Sequence, residues 1–186
     1  MSNSSGKNKA GEREYNESVL SNLYEEYYDK IARYAYLRVG KKDEAEDIAG
    51  EVFLRALKSL KSYLERGIPM QAWLFRIAHN LVVDYFRKIP KHQTVPIYDV
   101  QIEGGVDPAI EAERNAEMVR VRTAMEQLTR KQREVLRLRF FGQLTSKETG
   151  KVMNKSDGAV REMQRAAIEK LRNILIMDKK PGGSKE

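Results

Sequence analysis

The chain has 186 residues, of which 41% are hydrophobic and 33% are charged, a composition typical of one or two small globular domains. It has no cysteine and only two histidines, His79 and His92, far apart in the sequence, which excludes disulfides and thiol catalysis and disfavours a His-based metal site. No apolar run is long enough to span a bilayer and the start has no signal-peptide pattern, so we expect a cytoplasmic protein.

The net charge of +7 is unevenly distributed along the chain. Residues 89–118 carry a net charge of −4, whereas residues 119–176 carry a net charge of +8. A basic block behind an acidic segment favours a polyanionic partner for the block, although a solvated helical surface would have the same composition.

The N-terminal segment predicts a disordered tail followed by two helices. Residues 1–14 are polar and lack apolar periodicity, so they are predicted to be disordered. Apolar residues at helical spacing then predict a helix over 15–39 that stops at Gly40. Asp43 is the predicted N-cap of the second helix, with Glu46 completing a capping box. The apolar stripe of this helix comprises Ala45, Ile48, Ala49, Val52, Phe53, Ala56, Leu57, Leu60 and Leu64.

The stretch 69–88 predicts a third helix with two distinct faces, ending near Lys88 because Pro90 disfavours helical geometry at the residue before it. An apolar stripe, typical of a buried face, comprises Leu74, Ile77, Ala78, Leu81 and Tyr85. A second stripe suits contact with phosphates and unpaired bases, although it equally fits a core helix with a polar back; it comprises Trp73, Arg76, Asn80, Val83 and Arg87.

Residues 89–107 contain two prolines and a Gly-Gly pair without any sustained period, which predicts a flexible interdomain linker. Beyond it the sequence predicts further helices with clear start signals. Asp107-Pro108 is an N-cap followed by proline at the first helical position. The helix that begins there carries Met118, Val121, Met125 and Leu128 on one face. Two capping boxes follow, Thr129 with Gln132 and Thr145 with Glu148. The helix that starts at the first box contains the apolar residues Val135, Leu136, Leu138 and Phe140.

The end of this second block has the layout of a helix-turn-helix. Asn154 can adopt the left-handed turn conformation, and Ser156 can cap a long last helix. Arg161 and Arg165 should face outward near the start of that helix, where a recognition helix meets base edges. The same pattern is common in all-α proteins that do not bind DNA. The residues of the last helix that are predicted to face inward are Val160, Met163, Ala167, Leu171 and Ile174.

Two motifs in the first block resemble a known family. Residues 73–87 resemble the promoter −10 helix of bacterial sigma factors of the extracytoplasmic-function (ECF) group, in the form W-L-x-R-I-A-x-N-x-x-x-D-Y-x-R. Residues 46–56 resemble the segment of the same family that docks on the polymerase β′ clamp helices, but Gly50 replaces the usual Gln. The resemblance implies polymerase binding by Asp47, Glu51 and Arg55, and −10 DNA binding by Trp73, Arg76, Asn80, Arg87 and Lys88.

The second block resembles the −35-binding domain of the same family through residues 132–140 and 155–164. It departs from the commoner form at Thr149-Gly150, at Asn154 and at Ala166, where many members carry Arg. The loss of that arginine could weaken phosphate anchoring. The residues implied to bind −35 DNA are Ser156, Asp157, Gly158, Arg161, Glu162 and Arg165.

These observations predict an all-α protein of two helical domains joined by a flexible linker, the second containing a helix-turn-helix. The resemblance implies an ECF-type sigma factor that binds core RNA polymerase, at its β′ clamp helices and β flap, and directs it to promoter DNA. An anti-sigma factor is a further candidate partner. The predicted segments are a tail (1–14), a sigma region 2 domain (15–88), an acidic linker (89–107), a sigma region 4 domain (108–176) and a loose tail (177–186).

Two alternatives remain open at this point. A helix-turn-helix regulator that never joins polymerase would not need the docking motif over 47–56. An enzyme acting on nucleic acid would need a carboxylate cluster for a metal near the basic surface, and the sequence shows none. We therefore expect a protein that is not an enzyme and needs no cofactor.

Overall fold

The computed structural model describes residues 4–64, 68–88 and 108–177, and within these ranges every regular element is helical. The predicted all-α fold is confirmed, whereas the predicted linker, the Asp107 cap and the segment beyond Met177 lie outside the described residues. The helices are α1 (Ser4–Val39), α2 (Lys42–Leu64), α3 (Met70–Lys88), α4 (Pro108–Glu126), α5 (Arg130–Leu136), continued by a π-helical turn (Arg137–Phe141), α6 (Ser146–Met153) and α7 (Asp157–Met177).

Both helices at the start of the chain begin earlier than predicted. Helix α1 begins at Ser4, within the predicted disordered tail, where Lys, Ala, Glu and Arg of high helix propensity outweigh the polar composition. Helix α2 begins at Lys42, so Asp43 lies inside its first turn and is not the N-cap. Gly40 ends α1 with φ of 78°, which leaves a very short turn, and the carboxylate of Asp43 instead stabilises the positive end of the α2 dipole.

Helices α1, α2 and α3 pack together around an apolar core, and we refer to them as the first half. The predicted stripes supply most of this core, but Leu57 is exposed, and Phe75 and Val82 of α3 are fully buried outside its predicted stripe. Helix α3 is therefore covered on two sides. Fully buried core residues from the three helices include Ile31, Ala35, Ala49, Val52, Ala56, Leu74 and Ala78.

Helices α4 to α7, the second half, begin and end where local signals place them. Both predicted capping boxes form, with each threonine side chain accepting from the backbone amide of Gln132 or Glu148. Ala124 is buried, whereas Met118 and Val121 of the predicted inward face of α4 are exposed. A small core joins α4, α5 and α7 through Leu128, Leu136 and Ala167, with Met125 and Leu171 against it.

The helix-turn-helix forms as predicted from α6, a tight turn and α7. Asn154 adopts the left-handed conformation, with φ of 54° and ψ of 52°, and the amide of Ala159 donates to Ser156 Oγ at 3.2 Å. Gly150 makes the turn compact, because a Cβ there would lie 2.5 Å from the Lys155 carbonyl oxygen. The Arg139 guanidinium donates to the Leu144 carbonyl and so fixes the loop before α6.

The two halves pack against each other and share one hydrophobic core. Leu138, Leu144 and Val152 of the second half are buried in the same cluster as the core of α1–α3. The Gln71 amide on α3 donates to the Gly142 carbonyl at 2.7 Å. The π-helical turn widens the end of α5, so that Leu138 faces this core while Phe140, another apolar residue of the predicted helix, is exposed.

We predict that Thr149→Val stabilises the protein. The Thr149 side chain is fully buried and its hydroxyl has no hydrogen-bond partner among the described residues, so the isosteric valine should raise the free energy of unfolding by about 1 kcal/mol. Urea unfolding of the full chain measures the change. Thr123→Val is the matched control, because the exposed Thr123 hydroxyl donates to the Val119 carbonyl at 3.1 Å. A destabilised Thr149→Val variant would contradict the prediction.

Candidate functional site

The residues implied to bind polymerase lie on the exposed side of α2. Asp47 and Arg55 are exposed and Glu51 is half-exposed. Glu51 lies one helical turn after Asp47, and Arg55 lies one turn after Glu51. The Arg55 Nε donates to Glu51 at 2.7 Å, and this hydrogen bond lowers the pKa of Glu51. Leu54 and Leu57 are 54% and 42% exposed beside these charges. A protein-docking surface commonly combines exposed apolar side chains with a charged rim in this way.

The residues implied to bind −10 DNA are exposed on α3, except one. Arg76, Asn80, Arg87 and Lys88 are exposed, and Arg87 makes a 3.2 Å ion pair with Asp84. Trp73 is instead half-buried and stacked on Tyr63, with ring centroids 4.2 Å apart and an interplanar angle of 22°. Its indole face is therefore engaged by packing within the first half.

A shallow depression of about 320 Å³ brings together residues from α2 and α3. Arg55 lies on its α2 side, whereas Arg87 and Lys88 come from the last turn of α3. Two predicted surfaces, one for polymerase and one for DNA, therefore meet at this depression. Three cationic side chains at its rim make it a suitable contact for an anion.

The first turn of α7 carries the start of the implied −35 surface. Ser156 is exposed and caps the helix, and Gly158 is exposed with open space at its Cα. Asp157 pairs with Arg161 at 3.1 Å. The helix N-terminus presents amide groups and a positive dipole end, which suits a phosphate.

The next turn of α7 places Arg165 and Glu162 at the surface. The Arg165 guanidinium contacts Glu162 at 2.7 Å and Glu169 at 3.5 Å. These contacts lower the pKa of Glu162 and raise that of Arg165. The half-exposed Ala166 lies beside this surface. Arg161 and Arg165 are thus held by acids on their own helix, and those exposed pairs are weak enough for DNA to displace.

Sequence reasoning missed a buried polar cluster between the two halves, centred on Glu134 of α5. The Tyr34 hydroxyl donates to Glu134 Oε1 at 2.5 Å, and His79 Nδ1 lies 2.9 Å from the same oxygen. Arg38 donates to Glu134 Oε2. Because a carboxylate only accepts, the contact requires a proton on His79 Nδ1.

Burial and charge act in opposite directions on this cluster. Burial alone would raise the pKa of Glu134, but the hydrogen bond from His79 and the charge of Arg38 outweigh it and lower the pKa to about 2. Burial and the neighbouring Arg38 lower the pKa of Arg137 to about 10. Burial, together with the Glu134 charge, raises the pKa of Tyr34 well above its usual value. Glu134 is therefore a carboxylate at neutral pH.

The sequence contains only a weak signal for this cluster. Glu134 stands directly before the apolar residues Val135 and Leu136, and Tyr34 occupies an apolar stripe position on α1. Glu134 is separated from Tyr34, Arg38 and His79 by 55 positions or more. Local periodicity therefore cannot show that they meet.

Across the described ranges, no group of three or more histidine or acidic side chains could hold a metal ion. None of the helices in these ranges is both long enough and apolar enough to cross a membrane.

Comparison with known proteins agrees with this geometry. The family model for sigma-70 region 2 matches residues 23–90, and that for sigma-70 region 4 matches residues 124–173. The ECF RNA polymerase sigma factor SigD of Mycobacterium tuberculosis is 31% identical over 90% of this chain and 80% of its own length. The chain belongs to the ECF sigma factors of the sigma-70 family. The predicted family is confirmed.

Another relative is considerably longer than this chain. The ECF RNA polymerase sigma factor BldN of Streptomyces coelicolor is 34% identical over 86% of this chain, which spans 61% of its length. Two solved structures share the fold. CnrH, in complex with the cytosolic domain of CnrY, has a TM-score of 0.65 at 22% identity over 91% of this chain and 96% of its own. RpoE of Bartonella quintana, in complex with the anti-sigma factor NepR, has a TM-score of 0.63 at 20% identity over 86% of this chain and 98% of its own.

We predict that Glu134 gives this sigma factor part of its acid sensitivity. Its folded-state pKa is depressed to about 2 from 4.5, so its stabilising contribution is complete above 4.5 and is lost as the pH falls towards 2. Urea unfolding between pH 4.5 and about 2 should show that the free energy of unfolding falls more steeply with decreasing pH in the wild type than in Glu134→Gln. Glu51→Gln is the control, because its ion pair is exposed and contributes little. Parallel curves for wild type and Glu134→Gln would contradict the prediction.

Proposed function

We propose that this chain initiates transcription by binding core RNA polymerase and directing it to specific promoters. Family membership supports this proposal, and one structural observation carries it. The three motifs place exposed charged and polar side chains on three different helices of one chain, α2, α3 and α7. A regulator that does not join polymerase would have no use for the α2 surface.

The polymerase-binding surface would be formed by Asp47, Glu51 and Arg55 with the exposed Leu54 and Leu57. The charged side chains would set the orientation on the β′ clamp helices, and the leucines would lose their exposed apolar area on docking. The second half would engage the β flap. These contacts would position α3 and α7 on the enzyme.

The −10 element would be bound by α3. Arg76, Arg87 and Lys88 would neutralise phosphates, and the Asn80 amide would hydrogen-bond an unstacked base. Trp73, included in the predicted set, would support this surface through its stack on Tyr63.

The −35 element would be bound by the first two turns of α7. Arg161 and Arg165 lie one turn apart and would exchange their intrahelical acid partners for base edges or phosphates. The Ser156–Gly158 segment would present the helix N-terminus to the DNA backbone, with Glu162 beside it.

Partners beyond polymerase and promoter follow from the fold. Two proteins of this fold were solved in complexes, one of them with an anti-sigma factor, and we propose such a partner for this chain. Acting on polymerase and promoter DNA, the chain would work in the cytoplasm, without catalytic chemistry of its own.

In-vitro transcription with core polymerase and a library of genomic fragments tests the proposed function. Transcripts that depend on the chain and start at a shared promoter sequence are expected. DNA binding without polymerase association or dependent transcripts would favour the regulator instead.

Gly50 offers a direct test of polymerase docking. A Cβ at Gly50 meets nothing within 4 Å, so Gly50→Gln and Gly50→Ala should both stabilise α2 by about 1 kcal/mol. We predict that only Gly50→Gln, which restores the side chain usual in the family, also strengthens co-purification with core polymerase. Asp47→Arg should weaken it with the fold intact. Equal polymerase affinity for the glutamine and alanine variants would place the docking contact elsewhere.

Asn80 tests promoter opening. Unstacking a base costs a few kcal/mol, which contacts to the captured base must offset. We predict that Asn80→Ala leaves polymerase binding and −35 binding intact but impairs open-complex formation, measured by permanganate footprinting of unpaired thymines. On a pre-melted −10 bubble with a changed non-template base, the variant should lose discrimination. Full melting with retained discrimination would exclude a base contact by Asn80.

A further inference from the structure

The first half contributes three hydrogen-bond donors that converge on one anion, the Glu134 carboxylate. Tyr34 is fully buried, and the Arg38 and His79 side chains are 14% and 23% exposed. A hydroxyl, a guanidinium and an imidazole around an oxyanion are equally suited to a phosphate group. Glu134, whose side chain is 6% exposed, comes from the other half and is the anion that fills the site.

The same donors border the surface of α3 that we propose for −10 DNA. His79 directly precedes Asn80, and Phe86 directly precedes Arg87. The Arg38 guanidinium lies 5.9 Å from the centre of the Phe86 ring. Successive residues of an α-helix point about 100° apart, so the donor site and the exposed stripe lie on adjoining sides of α3.

The packed arrangement cannot span a promoter. This step rests on the proposed function. Helix α6 contacts both α3 and α7, so the axes of α3 and α7 lie roughly 20 Å apart at about 8–10 Å per helix contact. Elements centred near −35 and −10 are about 25 base pairs apart, or about 85 Å at about 3.4 Å per base pair. The halves must separate on the promoter, and Glu134 then leaves its site.

We propose that Tyr34, Arg38 and His79 form a binding site for a DNA backbone phosphate, which Glu134 occupies while the two halves are packed together. Glu134 is then an intramolecular competitor of the promoter. In the packed chain its carboxylate satisfies the donors, and in the open chain the phosphate does so. Neither state leaves the Arg38 charge without an acceptor.

The first measurement follows separation of the halves. The chain has no cysteine, so Lys58→Cys on α2 and Asn173→Cys on α7, both exposed, can carry a unique pair of spin labels. Glu134→Gln keeps the side-chain volume but removes the charge that faces Arg38, and it should shift the distance distribution towards longer values. Glu126→Gln, an exposed position on α4, removes the same charge as a control and should leave the distribution unchanged.

The second measurement follows DNA binding by the full chain, with a labelled mixed-sequence single-stranded DNA and fluorescence anisotropy at several KCl concentrations. Glu134→Gln should bind roughly tenfold more tightly than wild type, as expected if about a tenth of wild-type molecules are open. Adding Arg38→Ala should reverse the gain and reduce the salt slope by about 0.7, the value for one phosphate contact on a single strand. Arg33→Ala, an exposed neighbour on α1, is the matched control.

Three outcomes would overturn the proposal. An unchanged distance distribution in Glu134→Gln would show that Glu134 does not hold the halves together. If the Arg38→Ala addition left affinity and salt slope unchanged, the cluster would serve only the contact between the halves. Displacement of the DNA from Glu134→Gln by polyglutamate at equal charge would identify an acidic protein as the occupant. Core-polymerase pull-down is run in parallel, because its failure would contradict the proposed function and leave this site unaffected.

Discussion

A single carboxylate, Glu134, fixes how the two halves of the chain meet. Burying a charge is costly unless it is paired, and here Tyr34, Arg38 and His79 supply the partners from α1 and α3. The apolar contacts around it hold the halves together but are not directional. The hydrogen bonds of Glu134 select one position of α5 on the first half, and α6 and α7 follow from it through short turns.

Helix α3 connects the fold to the proposed function because three of its sides are engaged differently. One side packs against α1 and α2, a second side with Phe75 packs against the second half, and a third exposes Arg76 and Asn80. The exposed side is rigid because the other two are covered. A rigid helix holds its polar side chains in place without further ordering on binding.

The sequence predicted features whose cause is local. The capping boxes at Thr129 and Thr145 and the left-handed Asn154 depend on residues within one helical turn, so their patterns were sufficient. The exposure of the α2 and α7 site residues followed from helical periodicity, and their binding roles stay predictions.

Features with a distant cause were missed. The sequence predicted one continuous helix up to Gly142, and the π-helical turn, which leaves the apolar Phe140 exposed, was not foreseen. Phe75 of α3 is buried where it meets Gly142 of the second half, a contact that a single-helix pattern cannot contain. Glu134 was missed for the same reason, since its partners come from another half of the chain.

The π-helical turn over Arg137–Phe141 sets the angular phase between α5 and everything after it. In such a turn the amide of Gly142 reaches back five residues to the Arg137 carbonyl, at 3.0 Å. A one-residue deletion there would restore α-helical pitch and rotate the following chain by about 100° about the helix axis. The orientation of α7 relative to the first half therefore depends on the number of residues in this turn. A change in that number alters the orientation far more than a side-chain substitution does.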